Sequence, residues 1–111
     1  MRYQFRGYCE DNKKWVYGYL IADNIILSKE KAYLIDEKSI SIWTGAYDSK
    51  GKKIFTNDVV HCKNDRLLKI EFRNFEFVGV SLDNNKNYSK PLLSLDNKKD
   101  TIRVIATDYI R

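Results

Sequence analysis

The sequence has little of the chemistry that metal and redox sites need. His61 is the only histidine, so one chain cannot supply a site with two imidazole ligands or a two-histidine relay. Cys9 and Cys62 are far apart and form no CxxC pair, which argues against a disulfide framework or a zinc cluster. We therefore expect two buried free thiols, no metal and no other cofactor.

Catalytic motifs are also missing. The glycines form neither the GxGxxG nor the GxxxxGK loop that cradles phosphates, and GxSxG is absent. His61 and Cys62 are adjacent on a predicted strand, so their side chains point to opposite faces and are badly placed to act as base and nucleophile. The sequence predicts no catalytic residues, and we expect a protein that is not an enzyme.

Membrane-spanning and secretory segments are lacking too. No apolar run is long enough for a membrane span, and the N-terminal MRYQFRGY has no apolar core of the signal-peptide kind. The expected location is the cytoplasm, with no membrane partner. A single proline and 43% hydrophobic residues exclude a disordered chain. The length of 111 residues indicates one domain.

Charge is not concentrated anywhere along the chain. The formal net charge is +5, but acidic and basic residues are interspersed and no long block of one sign occurs. This distribution excludes a basic nucleic-acid-binding arm. The overall positive charge still permits binding to an acidic partner, and it can equally serve solubility alone.

What the sequence does contain is a series of short alternating apolar segments separated by polar turns, the pattern of an antiparallel β protein. Tyr3 and Phe5 alternate with polar residues near the N-terminus. Residues 15–21 form a second run that is apolar on both faces, which predicts a strand covered on both sides. Together they predict a hairpin with cross-strand aromatic pairs, and Gly18 leaves space for a bulge or a close neighbour.

One segment is ambiguous. Residues 29–35 contain good helix formers, but their Tyr33-Leu34-Ile35 end fits a strand equally well, so helix and strand both stay open. No other segment predicts a helix of ordinary length. The polar residues 83–90 predict a loop.

The fold class that follows is mainly β: a small antiparallel β-barrel with an SH3-like C-terminal portion and an N-terminal β-hairpin or meander. We treat residues 1–111 as a single domain. Within it, the meander covers about 1–43 and the small barrel about 44–111, as the spacing of strands and turns indicates.

The best local pairing is a hairpin between the alternating runs 68–73 and 75–77. A two-residue turn at Arg73-Asn74 would place Phe72 opposite Phe75. Asparagine tolerates the left-handed backbone that such a turn requires.

The densest turn signals lie in residues 43–60, WTGAYDSKGKKIFTNDVV. One polar turn ends at a glycine, and a second precedes the β-branched pair Val59-Val60. Four residues are predicted to set backbone geometry here rather than to perform chemistry, as glycines at positive φ or as carboxylates that accept turn N–H groups. They are Gly45, Asp48, Gly51 and Asp58.

Aromatic and basic side chains in and near this stretch form a candidate binding surface. Its members are Trp43, Tyr47, Lys50, Lys52, Lys53 and Arg73. Such side chains stack on bases or small ligands and attract phosphates. The alternative is that the aromatic residues are core and the lysines form a solvated face that resists aggregation at a sheet edge.

In their order along the chain, these motifs resemble the YopX-like proteins of bacteriophages and prophages. The resemblance rests on Phe5-Arg6, the run WVYGYL at 15–20, the pattern TG..D..GK.I...D.V at 44–60 and the closing run 102–109. The chain departs from the family at Ala106-Thr107, where a Gly-Asn is usual. The resemblance implies a small, β-rich, phage-encoded homo-oligomer of the host bacterial cytoplasm, and it implies no catalytic residues.

These observations favour a non-enzymatic binding protein that engages a host or phage macromolecule, most of all a protein. Inhibition of a host defence system is a narrower version of this hypothesis. One alternative is a nucleic-acid-binding small β-barrel, indicated by the net charge of +5. Another is a protein that sequesters a small ligand or nucleotide.

Overall fold

A computed structural model describes residues 3–62, 66–82, 89–91 and 102–107 of the chain. The described residues form short β-strands and one 3₁₀ turn, so the predicted mainly β class is confirmed. None of them belongs to a helix with the length and apolarity that a membrane crossing requires. The chain divides into two compact units, Met1–Trp43 and Thr44–Arg111, called here the first and second unit.

The first unit is an antiparallel meander. Neighbouring strands are hydrogen-bonded in the order β4-β3-β2-β1-β5. The elements are β1 (Phe5–Cys9), β2 (Lys14–Ala22), β3 (Ile25–Ser28), β4 (Lys31–Leu34), a 3₁₀ turn (Glu37–Ser39) and the start of β5 (Ser41–Tyr47).

The predicted hairpin between β1 and β2 is confirmed. Gly7 lies opposite Val16 and Tyr8 opposite Trp15. The rings of Tyr8 and Trp15 meet edge to face with their centroids 5.5 Å apart, a geometry that stabilises cross-strand aromatic pairs.

The buried cluster of the first unit lies on one face of β2. It consists of Cys9, Val16, Ile26 and Ile35. Beyond Trp15 the other face is open, since Tyr17 is 46%, Tyr19 42% and Ile21 56% exposed. The prediction that β2 is covered on both faces is therefore wrong for its second half, because the cluster packs only against the face that carries Val16.

The backbone of the first unit decides two open predictions, the conformation of residues 29–35 and the neighbour of Gly18. Strand β4 occupies most of the segment that fitted helix and strand equally, and a two-residue loop, Lys29-Glu30, joins it to β3. Gly18 has the close neighbour that the sequence predicted, because a Cβ at this position would overlap the backbone carbonyl of Leu27 in β3. Glycine is thus required where the backbone of β3 comes close to its neighbour β2.

The second unit begins within β5 and contains the remaining strands. β6 pairs with β5, and a five-stranded antiparallel sheet follows with the order β10-β9-β8-β7-β11. The strands are β6 (Lys53–Phe55), β7 (Asp58–Cys62), β8 (Arg66–Arg73), β9 (Glu76–Ser81), β10 (Ser89–Pro91) and β11 (Arg103–Thr107). The predicted loop at 83–90 falls outside the described residues, except that Ser89 and Lys90 begin β10.

The core of the second unit is a cluster of buried apolar side chains. It consists of Ile54, Val60, Cys62, Leu68, Ile70 and Ile102. These residues come from β6, β7 and β8 and from the residue before β11, so the cluster holds the strands of this unit together. In the described part of the chain each sheet has two edge strands, β4 and β6 in one sheet and β10 and β11 in the other. The SH3-like barrel therefore stays a prediction.

The β8–β9 hairpin exists, but its turn begins one residue later than predicted, which shifts every cross-strand partner by two residues. The turn is Asn74-Phe75, so Phe72 lies opposite Phe77 and Arg73 opposite Glu76. The predicted register would have put Glu71 directly opposite Glu76, and like charges in that position are destabilising. The observed register instead places Arg73 opposite Glu76, and it keeps an aromatic pair, with Phe77 in place of Phe75 opposite Phe72.

Candidate functional site

Residues 43–60 run from β5 through a loop into β6 and, after the turn Thr56-Asn57, into β7. Thr44 holds β5 to β6: its Oγ1 donates to the carbonyl of Ile54 at 2.8 Å and accepts the N–H of Ala46 at 3.2 Å. Gly45 and Gly51 have φ of 89° and 84°, a conformation that strains any residue with a Cβ. Among the described residues, no atom would contact that Cβ.

Asp48 is the first residue of the loop between β5 and β6, and it is only 8% exposed. Its Oδ1 accepts the N–H groups of Lys50 and Lys52, both at 2.8 Å. Its Oδ2 accepts the N–H of Val104 in β11 at 3.0 Å. One carboxylate therefore fixes the loop and also ties it to the last described strand.

These hydrogen bonds set the ionisation of Asp48. Burial alone would raise its pKa, but the N–H donors of Val104, Lys52 and Lys50 and the nearby charge of Lys52 together outweigh burial and lower the pKa below its usual 3.8. The folded state thus prefers the ionised carboxylate. Its chemistry is that of a fixed acceptor and not of a proton donor near neutral pH.

The lowered pKa gives a pH dependence of known sign. Because the folded pKa of Asp48 is below the unfolded one, its contribution to stability is present above pH 3.8 and is lost as pH falls through the folded pKa. We expect the difference in free energy of unfolding between the wild type and Asp48→Asn to shrink from about pH 6 to about pH 2. Urea unfolding at a series of pH values measures this difference, and a constant difference would contradict the assignment.

Asp58 fixes the second turn. Its side chain is 1% exposed, and its Oδ2 accepts the N–H of Phe55 at 2.8 Å. Asn57 has φ of 69° and donates its N–H to the carbonyl of Ile70 in β8 at 2.8 Å. Gly45, Asp48, Gly51 and Asp58 thus all lie where a left-handed backbone or a backbone N–H group needs them.

The members of the candidate binding surface are divided between the two units. Tyr47, Lys50, Lys52 and Lys53 surround the loop of Asp48, whereas Trp43 belongs to the first unit and bonds through its N–H to the carbonyl of Gln4.

Arg73 is remote from that loop within the second unit. Asp48 bonds to Val104, which lies opposite Val60, and Val60 lies opposite Leu68. Arg73 is five residues further along β8, roughly 17 Å at about 3.3 Å per residue.

Arg73 instead lies in a feature that sequence reasoning missed, an overhanging hairpin end. β7 pairs with β8 only up to Lys69, and β10 pairs with β9 only from Val78. Among the described residues, the segment 72–77 therefore extends beyond both neighbouring strands as a two-stranded ribbon, called here the ribbon.

Phe75 forms the tip of the ribbon. Its side chain is 95% exposed, and both turn residues have positive φ, 50° at Asn74 and 67° at Phe75. Two positive φ values are the signature of the type I′ turn, whose second position normally holds glycine. A bulky aromatic residue at such a position is a backbone outlier, and the sequence signal that indicates it is the order Asn-Phe where Asn-Gly would be expected.

The ribbon is ordered below its tip. The rings of Phe72 and Phe77 lie 4.9 Å apart between centroids with an angle of 56°. Arg73 donates from Nε to Oε1 of Glu71 at 2.7 Å. Phe77 also packs against the buried cluster of the second unit, so the ribbon is anchored to the core and holds Phe75 in place.

Thiols and metal-binding groups are the remaining candidates for chemistry. Cys9 and Cys62 are both buried free thiols, as predicted. Within the described ranges, no group of three or more His, Cys, Asp or Glu side chains is placed to hold a metal ion.

The first unit has an open groove of about 440 Å³, lined by Tyr3, Phe5, Tyr19, Leu20, Ile21 and Leu27. This lining carries no charge, which does not favour a nucleotide.

Comparison with known proteins places the chain in a family. A family model described as YopX protein matches residues 4–109. No curated protein and no solved structure matches the chain.

Proposed function

The chain belongs to the YopX protein family, and we propose that it is a phage-encoded, non-enzymatic binding protein that engages a host or phage protein through the ribbon. The observation that carries this proposal is Phe75, a side chain that is 95% exposed on a backbone with φ of 67°.

The energetics of the turn support a binding role for Phe75. A left-handed conformation costs a residue with a Cβ about 1–2 kcal/mol, and glycine avoids this cost. Exposing a phenyl ring to water brings the folded protein no compensation. A side chain that strains its turn and is 95% exposed is explained when its ring is buried in a complex.

The shape of the ribbon suits the recognition of a protein pocket. Aromatic side chains bury about 150–250 Å² each and dominate the energetics of interfaces. A few such residues commonly supply most of the binding free energy. Phe75 projects furthest, and Phe72, which is 54% exposed, lies behind it as a second contact. Blocking an active site or an assembly surface of a host defence protein is one way in which such an element would act.

Removal of the ring tests the proposal. Tagged wild-type protein is used to capture partners from a lysate of the bacterial host, and the affinity for the captured protein is then measured for Phe75→Gly. We expect affinity to fall at least about 30-fold, because loss of a hot-spot residue costs about 2 kcal/mol or more. Light scattering on the same protein measures the expected homo-oligomer.

Tyr47→Ser is the matched control for that measurement. Tyr47 is 51% exposed and belongs to the same unit, but it lies beside the loop of Asp48 and not in the ribbon. It should bind like the wild type. Loss of binding in Tyr47→Ser with full binding in Phe75→Gly would move the interface to the loop and overturn the proposal.

A nucleic-acid-binding function is the second candidate, favoured by the lysines on the loop that Asp48 fixes. Lys50 and Lys52 are exposed, and their backbone positions are set by hydrogen bonds to Asp48. Binding of this kind should weaken steeply with salt as counterions are released. Titration of single-stranded and double-stranded DNA at low salt tests it, and absence of binding there would remove this candidate.

A further inference from the structure

The formal net charge of the ribbon and its base has the opposite sign to that of the whole chain. Residues 71–77, EFRNFEF, contain two carboxylates, Glu71 and Glu76, and one cation, Arg73, a formal sum of −1. The whole chain has a formal net charge of +5. Within residues 71–77 of this basic protein, carboxylates thus outnumber cations by one.

The single cation forms an ion pair with one of these carboxylates and lies across the hairpin from the other. Arg73 bonds to Glu71 at 2.7 Å, and it lies directly opposite Glu76 across the hairpin. Its charge is therefore largely compensated by Glu71 at the base of the ribbon. Glu76 is exposed at the turn, where it contributes to the field that a partner meets as it approaches Phe75.

Apolar and charged side chains are separated by face. Phe72 and Phe77 lie opposite one another and share the face of Ile70, two residues before Phe72. Glu71 and Arg73 alternate with them and occupy the other face. A partner that receives the tip and the phenylalanine face meets carboxylates at the margin of the contact.

Resting on the proposed function, we infer that the partner is a protein with an apolar pocket for the ring of Phe75 and a basic rim that faces Glu76. Charges at the edge of an interface guide association and specificity when the opposing surface carries the opposite sign. Phosphate-bearing partners fit poorly, because nucleic acids and anionic lipids would be repelled by the carboxylates next to the tip.

Charge variants of the full-length protein test this inference. Affinity for the captured protein, taken from a nuclease-treated lysate, is measured at about 0.05 M and about 0.5 M salt, since screening weakens rim electrostatics. We expect Glu76→Gln to bind about threefold and Glu76→Lys about tenfold more weakly at low salt, with both differences reduced at high salt. Glu30→Lys makes the same charge change in an exposed turn of the first unit and should bind like the wild type.

The outcomes separate this inference from the proposed function. If Phe75→Gly abolishes binding while Glu76→Lys binds as well as or better than the wild type, the rim is not basic and the inference is overturned, although the ribbon remains the binding element. If Phe75→Gly binds normally, both are overturned. A thymidine 20-mer and phosphatidylglycerol vesicles serve as anionic probes, and Phe75-dependent binding to either, strengthened by Glu76→Lys, would also overturn the inference.

Discussion

Gly18→Ala is expected to lower the free energy of unfolding by about 3 kcal/mol or more, because the new methyl group has no space. A Cβ at Gly18 would overlap the carbonyl oxygen of Leu27 and also crowd Ser28 in the neighbouring strand. These are backbone atoms, so they cannot move aside as a flexible side chain can. The pairing of β2 with β3, which continues from Tyr19 opposite Leu27, would have to shift.

Gly45→Ala is the matched control for Gly18→Ala. Gly45 has φ of 89°, and no described atom would contact a Cβ there. Its replacement should therefore cost only the backbone penalty of about 1–2 kcal/mol. Urea unfolding followed by circular dichroism compares the two variants, and a smaller loss in Gly18→Ala than in Gly45→Ala would show that β3 does not approach Gly18 closely.

Asp48→Ala is expected to lower the free energy of unfolding by about 2–4 kcal/mol, because three backbone N–H groups lose their acceptor. Water can replace the carboxylate at the exposed Lys50 and Lys52, but Val104 is half-buried within β11. Most of the loss should therefore come from weaker attachment of β11 to the loop.

Asp48→Asn keeps the size of the side chain but changes its charge and its hydrogen-bonding atoms, so it separates these effects. Its amide fits the same space, yet it presents one oxygen and one N–H₂ group where the carboxylate presents two acceptors. One of the two sides must then lose its hydrogen bond. We expect an intermediate loss of about 1–2 kcal/mol. An Asp48→Ala variant as stable as the wild type in urea would rule out Asp48 as the link between the loop and β11.

Residue preferences and side-chain alternation correctly predicted the positions where few backbone conformations are allowed. The polar turns around Gly51 and before Val59, the β1–β2 hairpin and the close neighbour of Gly18 all follow from the conformational range of glycine and from side-chain alternation. The two turns and the hairpin depend on residues that are close together in sequence. Gly18 signals a close approach, although it does not identify the strand that approaches.

The prediction failed where the answer depends on packing. Alternation along β2 could not reveal that Tyr17 and Tyr19 face solvent, because exposure depends on which elements lie above the strand. The register of β8 with β9 depended on cross-strand charges that a turn prediction alone ignored. The preference of asparagine for turns correctly predicts a turn at Asn74. Asn74 is however the first and not the second residue of that turn, so Phe75 lies at the tip and not in a strand.

The candidate site shows the same limit. Arg73 was grouped with the lysines of 50–53 by charge, and strand registers place it at a different part of the second unit. Phe75 was assigned to a strand, so its exposure could not be foreseen. The residue that conflicts most with local turn preference is the one on which the proposed function rests, as expected where function and stability compete.

The central claim is that Phe75 lowers the stability of the folded protein and serves binding instead. The free energy of unfolding of Phe75→Gly tests this claim most directly. Glycine removes the left-handed strain at φ of 67° and completes an Asn-Gly turn, so we expect this variant to be more stable than the wild type by about 0.5–1 kcal/mol. Phe75→Ala also removes the ring but keeps the strain, and it should not gain stability. A Phe75→Gly protein that is less stable than the wild type would show that the fold needs Phe75 and would contradict the claim.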